Sequence, residues 1–157
     1  MPHTKIQRLF TVISGLWVGS FIAIGFLVVP VLFTTLGDRQ VAGFIAANLF
    51  KINAYIGVGL CSLLMLVANH LVKRGNRSYR QIRWILLLML VCTVAAAFII
   101  IPWMNALRDQ ALQLGISVRD TSNAKLFGLL HTISSAVFII QSILGIVLVW
   151  RSTKNAD

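Results

Sequence analysis

Residues 73–83 have the sequence KRGNRSYRQIR, which places five cations and no acid between two long apolar runs. In membrane proteins, short loops on the cytoplasmic side carry an excess of Lys and Arg. This stretch therefore predicts a cytoplasmic turn between two membrane-spanning helices. Once the turn is placed inside, the side of every other segment follows from the number of membrane crossings, and both chain ends are predicted to be cytoplasmic.

The composition indicates the class of protein. The chain of 157 residues is 58% hydrophobic and 11% charged, whereas soluble domains are about 25% charged. A net charge of +10 is also found in nucleic-acid-binding proteins, but here the cations flank apolar runs instead of sharing a soluble face. We therefore predict the lipid bilayer as the partner and no nucleic acid.

Four apolar runs are long enough to cross a bilayer as helices. They cover about residues 9–33, 52–72, 84–104 and 126–150. The predicted fold is an all-α integral membrane protein, in which four transmembrane helices form an up-down bundle and residues 1–157 form one domain. We expect a multi-pass protein of the cell's inner (cytoplasmic) membrane.

The distribution of cations supports this orientation. The predicted topology places nine Lys and Arg residues inside and five outside, the latter being Arg39, Lys51, Arg108, Arg119 and Lys125. The chain has no Glu, and its four Asp residues fall outside the apolar runs. Proton relays and hard-cation sites that need a carboxylate at membrane depth are therefore not expected.

The connections between the spans contain recognisable boundary signals. Pro30 is predicted to end the first span, and Asp38 is placed to cap a new helix. The segment from Val41 to Leu49 has helical spacing, and either lies in the membrane interface or leads directly into span two. After Pro102, the third helix is expected to continue beyond the membrane until Gly115 stops it.

The two halves of the chain show a loose internal similarity. Each half has a proline near the end of an outgoing helix, an aspartate soon after it, and a lysine near a phenylalanine where the chain re-enters the membrane: Pro30, Asp38, Phe50 and Lys51 in the first, and Pro102, Asp109, Lys125 and Phe127 in the second. This pattern is either a parallel repeat of two hairpins or a coincidence.

Several spaced motifs resemble a known family. They are GLWVGS at residues 15–20, VPVLF at 29–33, Pro102, and FGLLH at 127–131. Together they resemble small four-span bacterial proteins of unknown function related to the transmembrane protein 205-like proteins. This resemblance implies a four-helix membrane bundle without an established activity.

A more remote resemblance rests on the W-x-G and P-x-L-F pattern of span one. This pattern is similar to the copper-resistance-D-like group, which includes a haem-dependent four-span protoporphyrinogen oxidase. The histidines that this oxidase carries in span one are absent from this chain.

His131 is the most informative polar residue, because an ionisable side chain within a span is a functional candidate by default. Ser134 and Ser135 follow at i+3 and i+4 and extend a polar stripe that we expect to face the bundle. The stripe has two interpretations. His131 either contacts a ligand or cofactor, or is a neutral histidine hydrogen-bonded to a neighbouring helix.

Lys51 and Lys125 stand at the predicted starts of spans two and four, where the helix dipole disfavours a cation. With Asn53, Asn105, Arg108 and His131 they are predicted to build a polar pocket that opens outward beside the two prolines. The alternative is a set of separate, solvated helix ends.

Four sulfur residues form a second candidate site. Cys61 and Met65 are at i, i+4 on span two, and Met89 and Cys92 are at i, i+3 on span three. Thiolate and thioether ligands suit Cu(I) or similar soft metals. Adaptable packing in an apolar interior is the alternative interpretation.

Haem is a further cofactor to consider. His70 and His131 are predicted to differ by about 20 Å in depth, so they cannot be the two axial ligands of one haem. A haem bound by His131 alone stays open, and the sequence does not decide whether any cofactor is bound.

The sequence favours a non-enzymatic multi-pass protein that acts in small-molecule or metal handling, or as an accessory subunit of a membrane complex. Gly15 and Gly19 form a G-x-x-x-G pair, which serves either packing within the bundle or a homo-oligomer interface. The rival prediction is a haem-binding membrane redox protein, which a visible spectrum would distinguish.

Overall fold

The structure is a computed structural model that describes residues 2–154, and the side chains of residues 5–154. Four long helices account for most of this region. Helix α1 comprises Pro2–Ala23, a π-helical turn at Ile24–Val28, and Val29–Thr35, and α2 is Arg39–Lys73. Helix α3 comprises Tyr79–Ala95, a π-helical turn at Ala96–Ile100, and Ile101–Gln113. Helix α4 is Ala124–Thr153, and a 3₁₀ turn at Val118–Asp120 precedes it.

The prediction of an all-α integral membrane protein with four spans is confirmed. Each of the four helices is long and apolar enough to cross a membrane, and no strand occurs within residues 2–154. Consecutive helices lie next to each other, and α4 also lies against α1, which closes the bundle. We call the end that holds the start of α1, the end of α4 and residues 74–78 the terminal end, and the end that holds residues 36–38 and 114–123 the loop end.

The terminal half of the bundle contains a closely packed core. Phe10 of α1 meets Tyr79 of α3 edge to face, with ring centroids 5.3 Å apart. Leu64 of α2, Leu86 of α3 and Leu148 of α4 are fully buried in the same cluster. The loop half has a smaller cluster, in which Ile100 and Met104 of α3 pack against Leu130 of α4, and this difference leaves room for a cavity.

Glycines contribute to helix packing at different places from those predicted. A Cβ atom added to Gly145 of α4 would lie 2.9 Å from Val18 of α1, so α1 and α4 approach closely there. Gly15 and Gly19 have no such neighbour within 4 Å. The predicted G-x-x-x-G pair therefore does not pack within the bundle.

The helices extend beyond the predicted spans because hydropathy marks only their apolar parts. Pro30 does not end α1: the preceding π turn accommodates it, and the helix continues to Thr35. The segment from Val41 to Leu49 belongs to α2, whose first turn is capped by Asp38, which accepts a 2.7 Å hydrogen bond from the amide of Gln40. α3 continues to Gln113, and Gly115 follows it with a φ of +66°, a conformation that favours glycine.

The sequence similarity between the two halves of the chain has a structural counterpart in the two π turns. The turn at Ile24–Val28 precedes Pro30 by the same spacing as the turn at Ala96–Ile100 precedes Pro102. In both turns the amide that follows, Val29 or Ile101, bonds to the carbonyl five residues earlier. α1 and α3 therefore share one backbone irregularity at equivalent positions.

Candidate ligand-binding cavity

A cavity of about 390 Å³ lies among the four helices and extends from the middle of the bundle towards the loop end. Its walls are mostly apolar, with aromatic side chains from three helices: Phe21, Phe26 and Phe33 of α1, Phe50 of α2, and Phe138 of α4. Ligand pockets in proteins have volumes of about 300–1,000 Å³, with apolar walls and a few polar groups. The cavity has the size and the composition of a small-molecule site.

The π turns help to form this cavity. Along α3 the lining residues step from Ala96 to Ile101, across the turn, and then continue to Met104 and Arg108. A π turn inserts an extra residue and rotates the following helix relative to the preceding one. The lining face of α3 therefore stays directed at the cavity on both sides of Pro102.

The deep end of the cavity, in the middle of the bundle, is polar. The side-chain amide of Gln141 on α4 donates a hydrogen bond to the hydroxyl of Thr93 on α3. The Thr93 hydroxyl in turn donates to the carbonyl oxygen of Met89, at 2.7 Å. Trp17 of α1 completes this end of the lining, and its indole nitrogen lies beside Gly57 of α2, 3.3 Å from where a Cβ would stand.

The end of the cavity nearest the loops contains a cation. Arg108 of α3 is half-buried, donates a 3.0 Å hydrogen bond to the side chain of Asn105, and lies over the ring of Phe127 at 5.2 Å. The acid next to it in the chain, Asp109, acts on its charge but is exposed to solvent. Arg108 therefore presents a positive charge at the cavity that a ligand can neutralise.

Phe138 occupies the centre of the cavity. Its ring lies 6.2 Å from that of Phe21, 5.6 Å from that of Phe26, and 5.6 Å from that of Phe50. It reaches this position because Gly25 has no side chain: an added Cβ there would overlap the Phe138 ring. Phe138 therefore contacts aromatic side chains of both α1 and α2 within the cavity lining.

A lateral gap opens the cavity on one side of the bundle. The close approach of α1 to α4 lies in the segment Pro2–Ala23, whereas the segment Val29–Thr35 lies close to α2. His131 and Ser135 share the α4 face of Phe138, line the cavity, and are exposed. We call the space between Val29–Thr35 and these two residues the lateral gap.

Comparison with known families finds one matching domain, which contains most of the residues that line the cavity. Residues 12–113 match the family described as domain of unknown function DUF4149. The chain belongs to this family. No curated protein and no solved structure matches it.

The matched DUF4149 region covers α1 from Val12 onward, all of α2, and α3. It therefore includes Trp17, Thr93 and Arg108, whereas α4, with Gln141 and His131, lies beyond it. The match supports the prediction of a family of unknown function. The finer resemblance to transmembrane protein 205-like proteins, and the remote one to the copper-resistance-D-like group, stay predictions.

Most of the predicted ligand-binding residues of this DUF4149 protein lie together. The cavity lining includes six of them: Asn53, Asn105, Arg108, His131, Ser134 and Ser135. Lys51 and Lys125 are exposed and lie outside the lining. Lys51 is also not at a helix start, because α2 begins at Arg39, so the predicted helix-dipole cost applies only to Lys125.

Sequence reasoning missed two residues of the deep end, Trp17 and Thr93. Trp17 belongs to the W-x-G pattern, which indicated a family resemblance and not a binding role, and Thr93 carried no signal beyond its hydroxyl. Gln141 is ten residues after His131 on α4 and continues its polar stripe. Its partner on α3 depends on how the two helices are rotated and offset, which periodicity within each helix does not give.

The two histidines within the helices are far apart. Gln141 lies beside Thr93, and Cys61 lies beside Leu86. From these pairings, His131 and His70 are separated by more than about 30 Å along the bundle axis, at 1.5 Å per residue. They cannot share one haem, and the separation is larger than the sequence suggested. A haem on His131 alone stays a prediction.

The four sulfur residues are spread along the interface of α2 and α3. Cys61 is fully buried, and its thiol donates a 3.2 Å hydrogen bond to the carbonyl of Leu86. Cys92 lies six residues after Leu86 on α3, which places it about 9 Å nearer the loop end than Leu86. Met89 is fully buried in the core beside Cys61, and Met65 packs against that core. A soft-metal site made of these residues stays a prediction.

Proposed function

We propose that this multi-pass membrane protein binds and handles an amphipathic small molecule, which has an apolar body and an anionic group, without carrying out chemistry on it. The observation that carries this proposal is the apolar cavity with a half-buried Arg108 at one end, for which the described residues provide no ion pair. Removing a guanidinium partly from water has a free-energy cost that an anion recovers. The apolar walls would take the body of the same molecule.

The position of Arg108 matches that of a headgroup site. It lies near the end of α3, where the helix leaves the apolar stretch, whereas Phe26, Phe50 and Phe138 lie deeper in the bundle. A carboxylate or phosphate on Arg108 would therefore sit at the membrane interface with its tail inside the bundle. The bidentate geometry of a guanidinium suits both groups.

The lateral gap supports access from the bilayer. A molecule that dissolves in lipid would reach the cavity between Val29–Thr35 and the α4 face of His131 and Ser135 without crossing water. These two residues would contact its polar part as it enters. The proposal thus gives the polar stripe of α4 a role in admitting the ligand.

The proposal extends to location. The excess of cations at the terminal end supports an orientation in the inner membrane with both termini in the cytoplasm, which puts the cavity in the outer leaflet. The protein would act alone, as a homo-oligomer, or as an accessory subunit that supplies its ligand to a larger membrane complex. Metal handling by the sulfur residues is a separate hypothesis.

A matched pair of probes tests the proposal. A fluorescent fatty acid and its methyl ester have the same chain, but only the acid has a charge for Arg108. We expect the acid to bind more tightly than the ester to the purified protein in nanodiscs. Arg108→Gln should weaken binding of the acid by about tenfold, as for loss of a charged hydrogen bond, and leave the ester unchanged.

The control is Arg119→Gln, which removes an exposed cation from the same end of the bundle outside the cavity. Equal binding of acid and ester, or equal effects of the two substitutions, would overturn the proposal. A visible spectrum of the same preparation tests the rival function, because bound haem gives a Soret band.

A further inference from the structure

The indole N–H of Trp17 is an unused hydrogen-bond donor at the deep end of the cavity. Trp17 is only 3% exposed, yet it lines the cavity. The hydrogen bonds found among the described side chains give its N–H no partner. Among the described residues, the side-chain polar atoms that are closed off from solvent without a partner are Ser14 Oγ and Tyr79 Oη, and the Trp17 nitrogen is not one of them. Its N–H is therefore open to the cavity, where an oxygen of a bound ligand can accept its hydrogen bond.

Gln141 adds a second polar group at the same place. Its amide nitrogen is directed to Thr93, which fixes the orientation of the side chain. Thr93 is itself held by the carbonyl of Met89. The carboxamide is thus held in place by α3, and both Gln141 and Thr93 line the deep end of the cavity as polar groups.

We infer that the deep end of the cavity is a hydrogen-bonding subsite, built from Trp17 and Gln141, which takes a carbonyl or hydroxyl oxygen carried on the apolar body of the ligand. The inference rests on the proposed function, and it narrows the ligand class. A plain acyl chain leaves the Trp17 N–H without an acceptor. A long-chain keto or hydroxy acid satisfies both Trp17 and Arg108.

The helix geometry sets the spacing between the two polar contacts. Thr93, which marks the deep end, and Arg108 both lie on α3, fifteen residues apart. This separation corresponds to about 22 Å at 1.5 Å per residue. The oxygen on the ligand should therefore lie far along the chain from the acidic group, and Phe138 would contact the apolar segment between them.

The test compares stearate with a series of keto-stearates in which the carbonyl is moved stepwise along the chain. Each competes with the fluorescent fatty acid on the unmodified protein, on Trp17→Phe, and on the control Trp103→Phe, whose ring is 59% exposed. We expect one carbonyl position far from the acid group to bind about three- to tenfold more tightly than stearate, the range for a neutral hydrogen bond. Trp17→Phe should abolish this preference, and Trp103→Phe should keep it.

A second measurement uses the unmodified protein, so it holds even if Trp17→Phe does not fold. In a ¹⁵N-indole NMR spectrum, the Trp17 N–H resonance should shift downfield with the preferred keto acid and much less with stearate. No preferred position, a preference that survives in a folded Trp17→Phe, or an unmoved Trp17 resonance would overturn the subsite. If stearate still binds through Arg108 in those cases, the proposed function stands. If stearate does not bind at all, both the subsite and the proposed function are overturned.

Discussion

The side-chain amide of Gln141 on α4 donates a hydrogen bond to the hydroxyl of Thr93 on α3, in the middle of the bundle. Each residue lies in an apolar stretch of its own helix, so each would otherwise be a polar group in a nonpolar environment. The pair shows how α3 and α4 are rotated and offset relative to each other, because the two side chains meet at one depth. This arrangement places Thr93 and Gln141 together in the lining of the cavity.

Thr93→Val tests the stabilising effect of this pair, because valine keeps the shape of threonine and removes the hydroxyl. Hydrogen bonds between transmembrane helices contribute about 0.6 kcal/mol on average and up to about 1.7 kcal/mol. We expect a loss within this range, measured by thermal unfolding in detergent. Thr132→Val is the control, since the Thr132 hydroxyl is exposed and bonds within its own helix. Equal stabilities of the two variants would contradict the interhelical role.

Gly145→Ala should destabilise the contact between α1 and α4. The new methyl group would lie 2.9 Å from both γ-carbons of Val18 and 3.0 Å from the Phe21 ring, and overpacking of this kind costs about 1–3 kcal/mol. Val18→Ala in the same chain should recover part of the loss, because it removes the clashing carbons. Gly19→Ala is the matched control on an open face. A Gly145→Ala protein as stable as Gly19→Ala would show that the helices are not this close.

The two cysteines should differ in reactivity. Cys61 is fully buried and hydrogen-bonded to Leu86, whereas Cys92 is half-buried. A membrane-permeant maleimide should therefore label Cys92 faster than Cys61 in the folded protein, as measured by mass spectrometry of the digested protein. Labelling in denaturant gives the reference rate for each thiol. Protection of both thiols by Cu(I) would support the soft-metal hypothesis, and no protection would leave packing as the role of the sulfur residues.

Reporter fusions test the orientation in the membrane. Residues 76 and 115 lie at opposite ends of the bundle, in the terminal-end turn and in the connection between α3 and α4. A fusion at residue 76 should report the cytoplasm, and one at residue 115 should report the opposite side. Both fusions on the same side would contradict the four-span topology, and the reverse pattern would contradict the predicted orientation.

Much of the candidate site followed from single helices. The positions of Arg108 and Asn105 beyond the proline, and the i+3, i+4 stripe of His131, Ser134 and Ser135, depend only on helical periodicity. All of these residues line the cavity. Lys51 shows the limit of this approach, because the sequence suggested a helix start where the helix had already run for twelve residues from Arg39.

The sequence by itself determined the four helices and the basic turn, because hydrophobic length and charge distribution act locally along the chain. Only the tertiary structure decided that α1 and α3 pass through their prolines with π turns, and that Phe138 fills the space above Gly25. It also decided that Trp17, Thr93 and Gln141 meet at one depth. These features depend on the rotation and axial offset of neighbouring helices. Packing between helices sets both quantities, and periodicity within one helix leaves them free.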